Sequence, residues 1–218
     1  MSEGRHTILV VDDHPLFRKG VIQLLQLDPG FEVVGEAGDY AAALQLAKDK
    51  EPDLTLLDLN LKGSGGLEIL AALKEEDPSR RVVMLTVSDA PEDLMAAIRA
   101  GADGYLLKDT EPEQLLERVR GALEGRTVIS DSMSAALADA LREEARGVRR
   151  DMRDLTDRER AVLRCIAGGQ SNKVIARSLS ITEGTVKVHV KHLLKKLAFR
   201  SRVEAAVWAS EQGLRTSA

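Results

Sequence analysis

Short apolar runs alternate with longer stretches of helical spacing along the first half of the chain. Ile8-Leu9-Val10-Val11 is a β-branched run that ends in Asp12-Asp13, and His14-Pro15 then opens a helical pattern carrying Leu16, Val21, Leu24 and Leu25. Phe31 to Ala37 predicts a second strand and Tyr40 to Lys48 a second helix. Leu54 to Asp58 is a third strand, entered from Pro52-Asp53 and left through Gly63, Gly65 and Gly66, and Leu67 to Leu73 is helical. Val82 to Val87, Pro91 to Ala100, Tyr105 to Leu107 and Pro112 to Leu123 continue the alternation. Strands alternating with helices at this spacing predict a doubly wound, five-stranded parallel sheet with helices on both faces, because each right-handed crossover carries its helix over the sheet.

The pattern changes after Gly125. Gly125 to Ser132 reads as a turn, Ala135, Leu137 and Leu141 as a short helix, and the charged run Arg146 to Asp154 as solvated linker. Thr156-Asp157-Arg158-Glu159 is a capping box for a helix stopped by Gly168-Gly169. Ser171 caps a second helix through Leu179, Thr182 a third that continues to Leu197, and Ser201 a fourth. The few residues around Ile181 join the second and third as in a helix-turn-helix. The chain thus divides into an α/β domain (1–125), a linker with a short helix (126–153) and a smaller all-α four-helix domain (154–218).

Charge sharpens this division. From Asp154 to Ala218 there are 12 Lys or Arg and 6 Asp or Glu, a net +6, while the remainder carries 19 and 29, a net -10. Such asymmetry points to different partners for the two halves, with nucleic acid a candidate for the basic one. No apolar run approaches membrane-spanning length and the polar start lacks a signal-peptide core, so a cytoplasmic protein without membrane association is expected. The lone Cys165, beside Val162 and Ile166 in a helical pattern, reads as a small buried hydrophobe.

Chemistry concentrates at the strand ends. Asp58 taken alone is equally a turn residue at a strand exit or a nucleophile at the sheet edge where ligands bind. Asp12, Asp13, Thr86 and Lys108 also fall at C-terminal strand tips, and that convergence favours a site. Clustered carboxylates repel one another unless a divalent cation sits among them, and an oxygen donor set suits Mg²⁺, with Asn60 adding a backbone carbonyl. Asp58 would then attack phosphorus, Lys108 pair with the phosphoryl oxygens and the Thr86 hydroxyl donate to one of them.

Asp12-Asp13, Asp58, Thr86, Tyr105 and Lys108 on this framework resemble the receiver domain of bacterial two-component response regulators, a CheY/flavodoxin-like fold. The resemblance implies phosphorylation of Asp58 by a sensor histidine kinase, direct Mg²⁺ ligation by Asp13 and Asp58 with help from Asp12, and a switching role for Tyr105 as Thr86 closes on the phosphate. The family usually has proline where Lys62 stands and often methionine at Leu61; losing the ring loosens that loop.

In the helix after Thr182, Val186, Val190, Leu193 and Leu197 form a core stripe, while Lys187, Val188, Lys191 and Lys195 lie on or toward the opposite side. A solvated face needs no valine, whereas a major-groove helix can set one against thymine methyl groups while lysines meet bases or phosphates. Leu155-Thr156-Asp157-Arg158-Glu159, Asn172-Lys173, Ile175-Ala176 and Thr185-Val186-Lys187-Val188-His189 resemble the LuxR/FixJ helix-turn-helix class. Gly104-Tyr105-Leu106-Leu107-Lys108-Asp109, Lys187-Val188-His189-Val190-Lys191-His192 and the run Ser201 to Trp208 resemble its nitrate/nitrite regulators within the NarL/FixJ family. The resemblance implies a non-enzymatic regulator that binds double-stranded promoter half-sites as a homodimer once receiver masking is relieved, with RNA polymerase a further partner. It makes Val203, Ala206 and Val207 dimer-contact candidates, against a core-packing alternative that also covers Trp208. Two other readings stay open: a DNA-binding protein whose vestigial receiver works without phosphorylation, and an aspartyl-phosphate phosphatase. The phosphatase wants a second Asp two residues after the nucleophile, where this chain has Asn60.

Overall fold

In the computed structural model, which describes residues 5–62, 65–126, 128–129 and 152–214, the first unit is built from five parallel strands. They are β1 (His6–Val11), β2 (Phe31–Ala37), β3 (Leu54–Leu57), β4 (Val82–Thr86) and β5 (Gly104–Leu107), in the spatial order β2-β1-β3-β4-β5. Between and after them run α1 (Pro15–Gln26), α2 (Tyr40–Lys50), α3 (Gly66–Glu76), α4 (Pro91–Ala100) and α5 (Pro112–Leu123). The strands β1, β3 and β4 are buried on both faces except at the start of β1, which is why they read as continuous apolar runs. One face packs Leu9, Val11, Leu57 and Met84 with residues of α2, α3 and α4; the other packs Ile8, Val10, Leu56 and Leu85 with α1 and α5.

Register sets the site. Val11 pairs with Leu57 and Thr86 with Leu107, so Asp12, Asp58 and Lys108 emerge together just past the ends of adjacent or neighbouring strands. The Asp58 N–H donates to Val11 O at 2.9 Å and the Lys108 N–H to Thr86 O at 2.7 Å, which carries sheet pairing to the edge of the pocket. The strand expectations need small corrections. β3 stops at Leu57, leaving Asp58 in the loop, and β5 starts one residue earlier, at Gly104. β4 stops at Thr86 because Thr86 Oγ1 accepts the Ser88 N–H at 3.1 Å, which turns Val87 out to 72% exposure. Helices α2 and α3 run past their expected ends, to Lys50 and Glu76. Gly66 is obligatory for space alone, since a Cβ there would lie 2.0 Å from Asp58 O.

The second unit holds a 3-10 turn (Met152–Asp154), then α6 (Asp157–Ala167), α7 (Asn172–Leu179), α8 (Glu183–Lys196) and α9 (Arg202–Glu211). Each helix begins where the sequence placed a cap: Thr156 in a reciprocal box with Glu159, then Ser171, Thr182 and Ser201. Val162, Leu163, Ile175, Val186, Val190, Leu193 and Trp208 form its core, with buried Cys165 among them. The expected linker helix at Ala135, Leu137 and Leu141 lies outside the described residues. Among the described residues, no helix is long and apolar enough to cross a membrane.

Candidate phosphoacceptor pocket and nucleic-acid interface

Asp12 and Asp58 are buried, at 2% and 1% exposure, and both face Lys108, whose Nζ lies 2.7 Å from Asp12 Oδ2 and 2.8 Å from Asp58 Oδ2. Burial alone would lower the Lys108 pKa, but hydrogen bonds and charge from Asp12 and Asp58 outweigh it and hold the ammonium above the ordinary lysine value. The Phe17 ring supports the same ammonium from 4.6 Å. Asp13, on the next residue, completes the acidic cluster, and the Asn60 N–H donates to Asp58 Oδ1 at 3.3 Å.

Ligand atoms from Asp12, Asp13, His14 and Asp58 all lie within 4.8 Å of one another. Asp12 Oδ2 and Asp13 Oδ1 are buried and accept no well-formed hydrogen bond, although charged or ring nitrogens lie close to each. Under-satisfied carboxylate oxygens converging on one point are the donor set a hard divalent cation requires. His14 Nδ1, 2.8 Å from Asp13 Oδ1, joins the cluster; the sequence reading took His14 only as the opening of α1.

Lys62 faces the pocket in part. Its N–H donates to Asp13 Oδ2 at 3.3 Å and its exposed Nζ lies 3.8 Å from the same oxygen. The usual proline has no N–H, so this chain exchanges a ring constraint for a hydrogen bond to a metal-ligand candidate.

Thr86 and Tyr105 meet beside the cluster. Thr86 is fully buried, and its Oγ1 accepts the Ser88 N–H at 3.1 Å. Tyr105 is packed inward and donates from its OH to Ser88 O at 3.0 Å; burial pushes the phenol pKa up. Ser88 Oγ in turn donates to Asp93 in the first turn of α4 at 2.5 Å. A change at Thr86 therefore reaches the start of α4 through a continuous set of polar contacts.

On α8, Lys187, Val188, Lys191 and Lys195 are exposed, Val188 at 51%, while Val186, Val190, Leu193 and Leu197 are buried. The sequence reading missed what this face meets. Lys187 Nζ lies 3.8 Å from Asp53 Oδ1, and Lys191 Nζ lies 3.8 Å from Asp77 Oδ1, both acids belonging to the α/β unit. The Arg200 guanidinium donates to Arg99 O at 2.7 Å across the same junction. Val207 packs against the α/β core, and Val203 and Ala206 line a pocket between the two units.

Two family descriptions match the chain: "Response regulator receiver domain" over residues 8–120 and "Bacterial regulatory proteins, luxR family" over residues 153–209. The chain is 50% identical over 206 residues to the nitrate/nitrite response regulator protein NarL of Escherichia coli strain K12, covering 94% of this chain and 95% of that protein. It is also 50% identical to the nitrate/nitrite response regulator protein NarP of the same strain, covering 94% of each. Among solved structures, the response regulator ChrA of a heme-sensing two-component system matches with a TM-score of 0.51 and 32% identity, covering 97% of this chain and 100% of that one.

Proposed function

The chain belongs to the response regulators that join a receiver domain to a luxR-family DNA-binding domain, and from that we propose that a sensor histidine kinase phosphorylates Asp58 to control promoter binding in nitrate- or nitrite-responsive transcription. The observation that carries this reading is the pairing of buried Asp58 with Lys108 at 2.8 Å beside two further carboxylates. An Asp58 carboxylate oxygen attacks phosphorus, an O–P bond forms, and the P–N bond of the phosphohistidine breaks with its electron pair returning to the imidazole. Asp12, Asp13, Asp58 and the Asn60 carbonyl would hold Mg²⁺, which when bound offsets the added phosphoryl charge. Lys108 then transfers its pairing from the Asp58 carboxylate to a phosphoryl oxygen, and the Thr86 hydroxyl turns to donate to another.

The resting protein is masked. Lys187 and Lys191, the groups offered to DNA with Val188 and Lys195, are turned toward Asp53 and Asp77. Promoter DNA and these two acids compete for the same ammonium groups, so binding requires the units to part. Parting also frees Val203, Ala206 and Val207 for contact with a second copy on paired half-sites. The protein acts in the cytoplasm, where kinase and promoter meet, with RNA polymerase as a downstream partner.

The test is to incubate the full chain with Mg²⁺ and acetyl phosphate, map the modified residue by mass spectrometry, and measure promoter affinity before and after. Modification of Asp58 with tighter binding is expected. Modification elsewhere, or unchanged affinity with Asp58 modified, would overturn the mechanism.

A further inference from the structure

Between the two units lies a small pocket lined by Arg81, Asp103, Gly125, Arg202, Val203 and Ala206, among others. Its room is about 10 Å³, at the lower bound for a single water-sized guest. Its lining is cationic: among the described residues, Arg81, Arg126 and Arg202 face one lining carboxylate, Asp103. Arg126 is paired with Glu124 at 2.9 Å, and Asp53 and Glu183 act on Arg81 from outside the lining. Asp103 is already engaged: its Oδ2 takes Lys74 Nζ at 2.6 Å and the Val82 N–H at 3.0 Å.

Both guanidiniums use neutral acceptors. Arg81 donates from Nη1 to the carbonyls of Ala122 and Leu123 at the C-terminal end of α5. Arg202, only 7% exposed, donates from Nη1 to Asn172 Oδ1 at 3.0 Å and from Nη2 to Gln170 O. Neither pairing supplies a full negative charge. Arg81 Nη2 and Arg202 Nε remain buried without a hydrogen-bond partner, and a Cβ built on Gly125 in the pocket wall would lie 3.4 Å from that Nε. Burial, and then the neighbouring Arg81 charge, pull the Arg202 pKa down to about 9, the direction expected of two cations held together out of water.

We propose that this pocket binds a monatomic anion, chloride in solution, between Arg81 of the receiver and Arg202 of the DNA-binding unit. A water could accept the unused N–H groups but would leave the excess positive charge uncompensated, and burying a charge without compensation is unfavourable. A single small spherical anion meets both needs, whereas a bulky organic anion does not fit. Because its two cationic walls belong to different units, the ion favours the closed arrangement. Its effect on DNA binding rests on the masking read above; the site itself does not.

The test uses the unphosphorylated full chain in sodium gluconate at constant ionic strength, with chloride added while the ³⁵Cl linewidth is followed. Protein-dependent broadening that bromide competes away is expected, and it should be lost in both Arg202→Gln and Arg81→Gln. Equal broadening in both folded variants, or none in the native protein, overturns the proposal. Crystals of the native protein grown in bromide provide an arm independent of any variant: an anomalous peak between the two guanidiniums supports the site, and peaks elsewhere only overturn it. Replacing chloride by gluconate should tighten promoter binding by the native protein more than by Arg202→Gln. If the anion binds at this pocket and that difference is absent, the site stands and the masking is refuted.

Discussion

Replacing Asp77 by asparagine removes one charge from the masking surface and leaves the local turn intact. Asp77 Oδ1 accepts the Ser79 N–H at 3.0 Å and the Ser79 hydroxyl at 2.7 Å, and an asparagine carbonyl oxygen keeps both acceptor roles. What disappears is the attraction to Lys191 Nζ at 3.8 Å, between side chains that are 48% and 32% exposed. Ion pairs this exposed contribute about 0.2 to 1 kcal/mol, which changes an equilibrium by roughly 1.4-fold to 5-fold. While the closed form dominates, apparent affinity scales with the open fraction, so unphosphorylated Asp77→Asn should bind promoter DNA more tightly by that same factor. Fluorescence anisotropy with labelled promoter DNA, at fixed salt and with Asp58 unmodified, reads it directly. The phosphorylated variant is the internal control, because an already open protein has no mask to lose. Unchanged affinity in the unphosphorylated state, or an equal gain in both states, would refute the masking argument, since an equal gain reports only general attraction to DNA.

Asp58→Asn removes the carboxylate nucleophile, and promoter binding should then show no response to acetyl phosphate in a gel-shift titration. Lys191→Ala in the phosphorylated protein should weaken binding across DNA sequences and reduce the slope of log affinity against log salt by about 1, measured by anisotropy at several salt concentrations. Glu159→Gln should destabilise the DNA-binding unit by about 1.5 to 3 kcal/mol in denaturant titrations, because its carboxylate accepts from Lys196 Nζ at 2.7 Å and from the Thr156 N–H at 2.8 Å. Burial pushes the Glu159 pKa up, but those contacts outweigh it and the folded value lies below the ordinary one. The stabilisation is therefore fully present above the unfolded value near ~4.3 and is lost as pH falls through the folded value; the variant should lack that segment of the stability-pH curve.

The receiver pocket was legible because its residues sit where apolar strand runs end, and parallel register brings such ends together whatever their separation in sequence. Asp12, Asp58 and Lys108 needed no side-chain contact to be grouped, only the order of strands. The helical unit was legible through its caps, since Thr156, Ser171, Thr182 and Ser201 each precede a run of helical spacing. The partner of the exposed lysine face was not legible. Lys187 and Lys191 carry the same pattern whether they meet phosphates or carboxylates, because periodicity reports which face is outside and not what lies opposite. Arg81 and Arg202 gave no signal for a related reason: each precedes or opens an element as an ordinary surface arginine would, and the spacing does not tell that both line one pocket. Val87 misled the strand boundary because its apolar side chain extends the run, while the Thr86 hydroxyl, by capturing the Ser88 N–H, ends it.

The docking surface lies at the far end of the sheet from Asp58, the proposed phosphoacceptor, and this restricts how the two communicate. Asp53 precedes β3, Arg81 precedes β4, and Asp77, Gly101 and Gly125 follow α3, α4 and α5, so the contacts with the DNA-binding unit gather at the N-terminal edge of the strands. Asp58 and Lys108 lie past the C-terminal edge. A strand of four or five residues separates the edges by roughly 13 to 17 Å, beyond the ~8 Å screening length of physiological salt. Added charge on Asp58 therefore acts only weakly on the half-exposed Lys187 and Lys191 directly. A packed element must carry the change, and α4 spans the required distance: ten residues at 1.5 Å each reach about 15 Å. Its first turn is tied through Asp93 and Ser88 to Tyr105, and its last turn presents Arg99 O to Arg200. Gly101, at φ 104°, lets the chain pass under Arg200 O, where a Cβ would approach to 2.9 Å. In the proposed switch, movement of Thr86 toward a phosphoryl group releases the Ser88 N–H at the head of α4, and a shift of that helix as a rigid body displaces the carbonyl on which Arg200 is seated. The ion pairs at Asp53 and Asp77 are exposed and individually weak, so a displacement of that kind can open the junction even though the phosphate touches none of it.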